Sequence, residues 1–406
     1  MNTGDRIGRA YVELALRIDR HAAGYVDAYF GPPEWKASIN TEPLRPVATL
    51  QDDARRLREA MARTEIDAQR RDFLTRQVTA MDMVLRRLAG EEVAYVEEVQ
   101  ACLDITPARI PETEFEGALR ELDTLLPGKG NLPARQLAWK RPFELPQDRV
   151  LALAETALSE ARRRTAAILE LPAGESMELE LVSGQPWSGY NWYLGQGRSR
   201  IQINTDLPVR ADYLLDLMAH EAYPGHHTEN AIKERLWYLQ AGCLEHSIAP
   251  LISPESLIAE GIATVAQDVI FPDHAELASW LRQVLYPQAG IQVDVDLQLR
   301  MARAAEKLAG VSGNAAFLLY VDRRPKDEIV RYIRHYGLCT EKEARRSLAF
   351  IGNPLYRTYI FTYFYGRRLL QDAFASGGML DVFRWVIRDP VTPSAVAARY
   401  RGGKPI

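Results

Sequence analysis

Proline and glycine stand side by side, as Pro224-Gly225, between histidines that a single helix would otherwise carry: His220-Glu221-Ala222-Tyr223-Pro224-Gly225-His226-His227. Proline lacks the amide that continues a helix and clashes with the carbonyl four residues back, so the chain must break or bulge there. Glycine accepts the dihedral angles that such a break demands. Three of the seven histidines in 406 residues fall within these eight positions, a density that chance does not produce. The segment constrains the backbone and the chemistry together.

In the His-Glu-x-x-His zinc helix, two histidines one turn apart hold the metal and the glutamate serves as general base. Here the spacing is longer. On a continuous helix His226 would turn about 240° away from His220, and His227 would return to the same face roughly 10 Å further along the axis. Metal bonds of about 2 Å span neither gap. With two residues looped out at Pro224-Gly225, His226 becomes the effective fourth residue. His220 and His226 are therefore read as metal ligands and Glu221 as the base. His227 is read as a supporting group or a substrate contact, and the local backbone decides between His226 and His227 as second ligand.

A hydrolytic zinc site takes three protein ligands and keeps one position for water. The third ligand is assigned to Glu260, on a helix that Ser253-Pro254-Glu255 opens with a hydroxyl cap and a first-turn proline. Leu257, Ile258, Ile262 and Val265 mark the buried side of that helix, and a carboxylate beside a core needs a counter-charge. Glu245, next to charged neighbours, and Glu255, in the first turn, are weaker candidates.

Other chemistries lack their signatures. There is no Gly-x-Ser-x-Gly elbow and no phosphate loop ending in Gly-Lys-Ser/Thr, and Gly195-Gln196-Gly197 lacks the third glycine of a dinucleotide fingerprint. No glutamate lies three residues before a histidine, which removes the di-iron pattern. With 50 Lys+Arg against 54 Asp+Glu, a net charge of −4 gives no footprint for nucleic acid or for an anionic membrane. Residues 1–20 mix charges into their apolar positions, no later stretch is apolar enough to span a bilayer, and Cys102, Cys243 and Cys339 form no paired motif. A cytoplasmic address is the expectation.

The chain reads as mainly α. Ile7, Tyr11, Leu14, Ala15 and Ile18 recur at helical spacing, and Leu50 to Ala89 reads as a helical pair interrupted near Thr64–Asp67. Glu112 to Leu125 reads as a further helix. Breakers concentrate from Leu126 to Gln147, where a boundary separates a helical subdomain, 1–147, from a catalytic one, 148–406, the two together expected to form one compact unit. A long helix is expected from Asp148 to Leu171. Met177–Val182, Tyr190–Leu194 and Arg200–Asn204 alternate as strands, the only expected β region, with a turn at Gly195 and Gly197. Thr340 and Glu343 form a capping box ahead of another helix.

The His-Glu-x-x-Pro-Gly-His-His run, the Glu260-Gly261-Ile262-Ala263 helix forty residues on, Ser199-Arg200-Ile201-Gln202-Ile203-Asn204-Thr205 and Tyr363-Phe364-Tyr365-Gly366 together resemble the bacterial family catalogued as domain of unknown function 885. That family is similar in fold to the carboxypeptidase Taq family of zinc metallocarboxypeptidases. The likeness covers roughly residues 180–375. It implies a zincin-like helical metallopeptidase with a small antiparallel β-sheet before the zinc-binding helix, a central cleft and a His-His-Glu metal site. Val265 and Gln267 stand where the family often has Tyr and Glu, a departure that touches substrate preference.

On this reading one zinc ion activates water, with manganese or cobalt as substitutes. Glu221 moves the proton, and Tyr363, then His227, are the candidate donors to the oxyanion. An arginine among Arg357, Arg367 and Arg368 would grip a terminal carboxylate. The strand Arg200–Asn204 would pair with an extended peptide at its edge, and Trp187, Tyr190, Trp192 and Tyr193 would line a subsite or fill core. The leading expectation is a carboxypeptidase-like or oligopeptidase enzyme acting on small peptides. A hydrolase of a non-peptide amide and a non-catalytic metal-binding protein are the alternatives. Neither nucleic acid nor membrane is an expected partner.

Overall fold

The computed structural model describes residues 3–185 and 187–402. Helices form where apolar residues recur at helical spacing. In α1 (Thr3–Asp19) the residues Ile7, Tyr11, Leu14, Ala15 and Ile18 are all buried. Beyond a strand and a short helix, Pro33–Thr41, lie α2 (Val47–Arg63) and α3 (Ala68–Leu88), joined across the expected interruption, where Asp67 caps α3 by accepting from the Gln69 and Arg70 amides. After α4 (Tyr95–Leu103) a helix spans Glu112–Leu125 as expected. The breaker-rich stretch is not all loop: Asn131 caps a short helix, Leu132–Lys140, that accommodates Pro133 in its first turn. Then α5 (Gln147–Ile168) runs to the sheet.

Three strands, β2 (Ser176–Val182), β3 (Gly189–Gly195) and β4 (Arg198–Asn204), form a sheet in the order β2-β4-β3. It is mixed rather than antiparallel. Gly195, Gln196 and Gly197 all take positive φ and fold β3 back on β4, which fixes that pair as antiparallel. The link out of β2 crosses the end of β4, so β2 lies on its other side and pairs parallel, Ser176 opposite Arg198 and Val182 opposite Asn204. The Asn204 amide holds the link by donating to the Gln185 and Trp187 carbonyls at 2.9 and 2.7 Å. In the centre of the sheet, β4 has no free edge for a peptide, against the expectation for Arg200–Asn204. A second sheet that the periodicity did not signal pairs β1 (Val26–Tyr29) with β5 (Ile248–Pro250).

The remaining elements used below are α6 (Ala211–Glu221), α7 (His226–Lys233), α8 (Pro254–Ile270), α9 (Val295–Glu306) and α10 (Ile360–Gly377). Ser253 caps α8 and Thr340 with Glu343 forms the capping box, both as expected. One apolar core joins α1–α4 to α8 and α10, through Leu74, Val99, Leu257, Ile262 and Leu369. Another joins α5, β4 and α6, through Ala157, Ile201, Leu214 and Met218. Each large aliphatic side chain so buried contributes about 1.5–3 kcal/mol. Side chains from both cores line a cleft of about 1190 Å³.

Two glycines set how α8 and α10 cross. A Cβ on Gly366 would lie 2.5 Å from the Leu257 carbonyl oxygen and 2.7 Å from the Gly261 nitrogen, and one on Gly261 would lie 2.9 Å from the Gly366 oxygen. The backbones touch, and Glu260 is thereby held against the start of α10. Gly366→Ala must separate the helices; a loss of about 1–3 kcal/mol is expected from overpacking, read as a lower denaturant midpoint at unchanged slope.

Candidate metal centre

The chain ends α6 at Glu221, where Ala222 turns to φ −119°, ψ −89°. The Tyr223 amide bonds the Met218 carbonyl at 3.2 Å and the Gly225 amide the Ala219 carbonyl at 2.9 Å, so the connection folds onto the end of the helix it has just left. A Cβ on residue 225 would lie 1.8 Å from the His220 carbonyl oxygen, so only glycine fits. A new helix, α7, then starts at His226, and the Thr228 hydroxyl fastens it to the Ala222 carbonyl at 3.0 Å. The sequence led to one helix with two residues looped out; the structure has two helices with residues 222–225 between them. The effect on the histidines is the one sought: the rings of His220 and His226 stand edge to face, centroids 4.8 Å apart.

Glu260, 4% exposed, reaches both of them. Its Oε2 is 3.5 Å from His220 Nε2 and its Oε1 is 3.6 Å from His226 Nε2. These three residues offer donor atoms that all lie within 4.8 Å of one another, a group able to hold a metal ion. Ligands at about 2.0–2.2 Å around a tetrahedral ion sit roughly 3.4 Å apart, close to the two distances found. Oε2 of Glu260 is buried with no hydrogen-bond partner, an acceptor that a cation would satisfy. Oε1 accepts a short hydrogen bond from the Tyr359 hydroxyl.

Burial governs the electrostatics here. It pushes His220 down to about 4, leaving a neutral imidazole. It opposes charge on His226 too, but the Glu260 carboxylate outweighs it and raises that group to about 9. Burial raises Glu221 to about 7, against the pull of His226 and with Glu260, Asp27 and Asp216 adding to it. Glu221 Oε1 lies 4.0 Å from His220 Nε2 and faces the cleft. Burial also raises Tyr359 and Tyr363 well above the ordinary phenol range, so both remain donors. Tyr363 lines the cleft, 38% exposed, its ring edge to face with Tyr359 at 5.7 Å.

The other expected residues divide. His227 is fully buried and absent from the cleft lining. One residue beyond His226 a helix has turned by about 100°, and its ring points instead between Ser199 Oγ at 2.8 Å and Glu175 at 3.0 Å. Of the two roles expected for it, supporting group or substrate contact, the structure has the first, a strut between α7 and the sheet. Arg357 pairs with Glu98 at 3.0 Å and lies over the Tyr320 ring, and Arg368 is exposed; neither lines the cleft. Arg367 does, but Asp268 at 2.7 Å and Glu306 at 3.1 Å already hold it. Glu245 is paired with Arg70 at 2.5 Å, and Glu255 accepts from Gln77 at 3.3 Å. Trp187, Tyr190, Trp192 and Tyr193 all line the cleft, with Trp187 stacked on Tyr190.

Three cleft residues escaped the sequence reading. Tyr359 was visible only as one aromatic among several. Asn191 donates to the Glu221 carbonyl at 2.6 Å. Asp27 accepts a short hydrogen bond from Tyr190, and its strand carried no signal.

No family model matches the chain, and no curated protein matches its sequence. Solved structures share the fold. A candidate lipoprotein from Colwellia psychrerythraea aligns at TM-score 0.54 and 16% identity, over 87% of this chain and 66% of that one. A candidate lipoprotein of unknown function from Shewanella oneidensis aligns at TM-score 0.52 and 10% identity, over 90% and 76%. The chain thus spans just under two thirds of the first of these proteins. Among the described residues no helix is long and apolar enough to cross a membrane.

The strut has its own pH signature. Burial alone would raise Glu175, but bonds from His227, Tyr223 and Arg162 outweigh it and hold the carboxyl down to about 2. A depressed pKa gives stability that is present above the unfolded value, about 4.3, and is lost as pH falls towards 2. Glu175→Gln is expected to lower stability at pH 7 and to flatten the acid limb between those values, measured as urea midpoint against pH.

Proposed function

We propose that the protein is a metal-dependent hydrolase of peptide bonds, with zinc held by His220, His226 and Glu260 and with small peptides as substrates. The observation that carries this reading is the buried convergence of two histidines and an orphaned carboxylate oxygen beside a further glutamate, Glu221, whose carboxylate makes no hydrogen bond among the described residues. A structural zinc site closes its coordination with four protein ligands, mostly cysteine, and has no use for Glu221. The quoted motifs of domain of unknown function 885, and through it the carboxypeptidase Taq family with its zincin-like fold, support the same reading. Manganese or cobalt would suit the same donors.

A divalent cation bound there supplies Lewis acidity and lowers the pKa of water towards about 7. Glu221 accepts the proton of the attacking water and returns it to the leaving amine. Glu221 is the last residue of α6, and its backbone carbonyl accepts from the Asn191 amide. Tyr363, exposed to the cleft and protonated, donates to the developing oxyanion. On the cleft wall β3 has one pairing neighbour, β4; its other edge offers backbone groups to an extended peptide, the role first given to β4.

Elemental analysis tests the ligands: about one zinc per chain in the wild type is expected, absent in His220→Ala and Glu260→Ala. Glu221→Gln should keep the metal and lose peptide cleavage by a factor of at least ~100. A wild-type protein that takes up no metal from added zinc sinks the reading. Tyr359→Phe removes the donor that orients Glu260 and is expected to weaken zinc about 10–100-fold, measured by competition with a chelating dye.

A further inference from the structure

Two runs of aromatic rings line the cleft beside the metal centre. One is Phe350, Tyr356, Tyr359 and Tyr363, with successive ring centroids 4.6, 6.4 and 5.7 Å apart. Phe350 and Tyr356 are stacked, 12° from parallel, and the Tyr359 hydroxyl donates to Glu260. The stack therefore begins one ring from the residue that touches a metal-ligand candidate. The other run is Trp187, Tyr190 and Trp192, with centroids 5.4 and 4.7 Å apart. The two runs are joined at two points. Arg346, on the helix Glu341–Ile351, donates to the Trp187 carbonyl at 3.3 Å and the Gln185 carbonyl at 3.0 Å. Phe350 lies four residues further on that helix, one turn along the same face and about 6 Å away. Deeper in the cleft Tyr190 donates to Asp27, and Tyr356 interacts electrostatically with both.

These rings do not serve the core. Aromatic side chains that do, such as Tyr11, Phe115, Phe143 and Phe383, are sealed at 0–1% exposure. Every ring of the two runs keeps part of its surface open, and Trp192 and Tyr363 are among the exposed large side chains at 42% and 38%. An open aromatic face or edge gains most from another ring, set offset-parallel or edge-on. The charges at these walls are engaged, Asp27 by Tyr190 and Arg346 by two carbonyls. Elsewhere the cleft lining holds both signs, with Asp216 on α6, Glu306 on α9 and Lys140, so charge alone selects no ligand. Ring surface does.

We infer that the part of the cleft walled by these two runs is a subsite for an aromatic side chain, carried by a substrate residue flanking the bond that is cut. The inference rests on the hydrolase reading for the word substrate. Its preference for a ring rests on the aromatic walls alone. A cleft built this way favours peptides with phenylalanine, tyrosine or tryptophan at that position, where the first expectation left the aromatic run divided between subsite and core.

Binding tests the two ideas apart. N-acetyl-phenylalanine methylamide and its leucine and lysine counterparts differ only in offering a ring, apolar bulk or a cation. Calorimetric titration of each into the full chain, with chelator and with added zinc, is expected to show the phenylalanine compound bound at least ~5-fold more tightly in either state. Phe350→Leu and Trp187→Leu, one from each wall, should each weaken that compound about fivefold and leave the leucine compound unchanged. Should either variant fail to fold, Trp192→Leu, at an exposed ring, takes its place. Equal or tighter binding of the leucine or lysine compound, unchanged affinity in the folded variants, or no binding of the phenylalanine compound to wild type overturns the inference. Peptide cleavage is scored separately: phenylalanine binding without cleavage of any peptide sinks the hydrolase reading and leaves the aromatic pocket standing, and cleavage indifferent to aromatic residues does the reverse.

Discussion

The contact between the Gly225 backbone and the His220 carbonyl is the constraint on which the site turns. A residue with any side chain there would push α7 away from α6, and His226 would leave His220. What looks in the sequence like an over-long zinc motif is a folded corner, in which the second histidine arrives on a fresh helix rather than one turn along the first. Glu260 completes the group by the same device. Gly261 and Gly366 bring two backbones into contact, and the carboxylate beside that contact is carried to the histidines. Backbone proximity, obtained by omitting side chains, builds a polar site inside an apolar one.

That placement has an electrostatic cost, because ionised groups lose their hydration in such a cleft. The directions of the shifts show where it falls. His220 gives up its proton, Glu221 and Asp216 hold theirs up to about neutral pH, and Glu260 stays ionised beside His226. A dication would neutralise Glu260 and leave both imidazoles neutral. The two arginines of the cleft lining, Arg210 and Arg367, are engaged in pairs with Asp212 and with Asp268 and Glu306.

Helices, their caps and the two-helix break at Thr64–Asp67 were legible because burial follows a helical period and caps follow side-chain chemistry. His220, His226 and Glu260 were legible for a different reason: their residue types have few other uses in that pattern. The sheet was harder. Alternation marks a strand without naming its neighbour, so β4 passed for an edge although the β2–β3 link places it in the centre. Residues 26–29 and 248–250 are short and pair across more than two hundred positions, beyond any local signal. Tyr359 was hidden in a run of aromatics whose partners only the crossing of α8 and α10 reveals, and the choice between His226 and His227 stayed open because the turn of about 100° between adjacent helical residues depends on where the new helix starts.

That turn has a further consequence. His226 and His227 point in directions about 100° apart at one helix start, so the ring that faces Glu260 is anchored by its neighbour's bonds to Ser199 and Glu175. None of those anchors, nor the Gly225 corner, runs through the ion. On the proposed reading a cation would enter a socket that protein contacts hold by themselves, and its occupancy would follow the free concentrations of competing divalent cations.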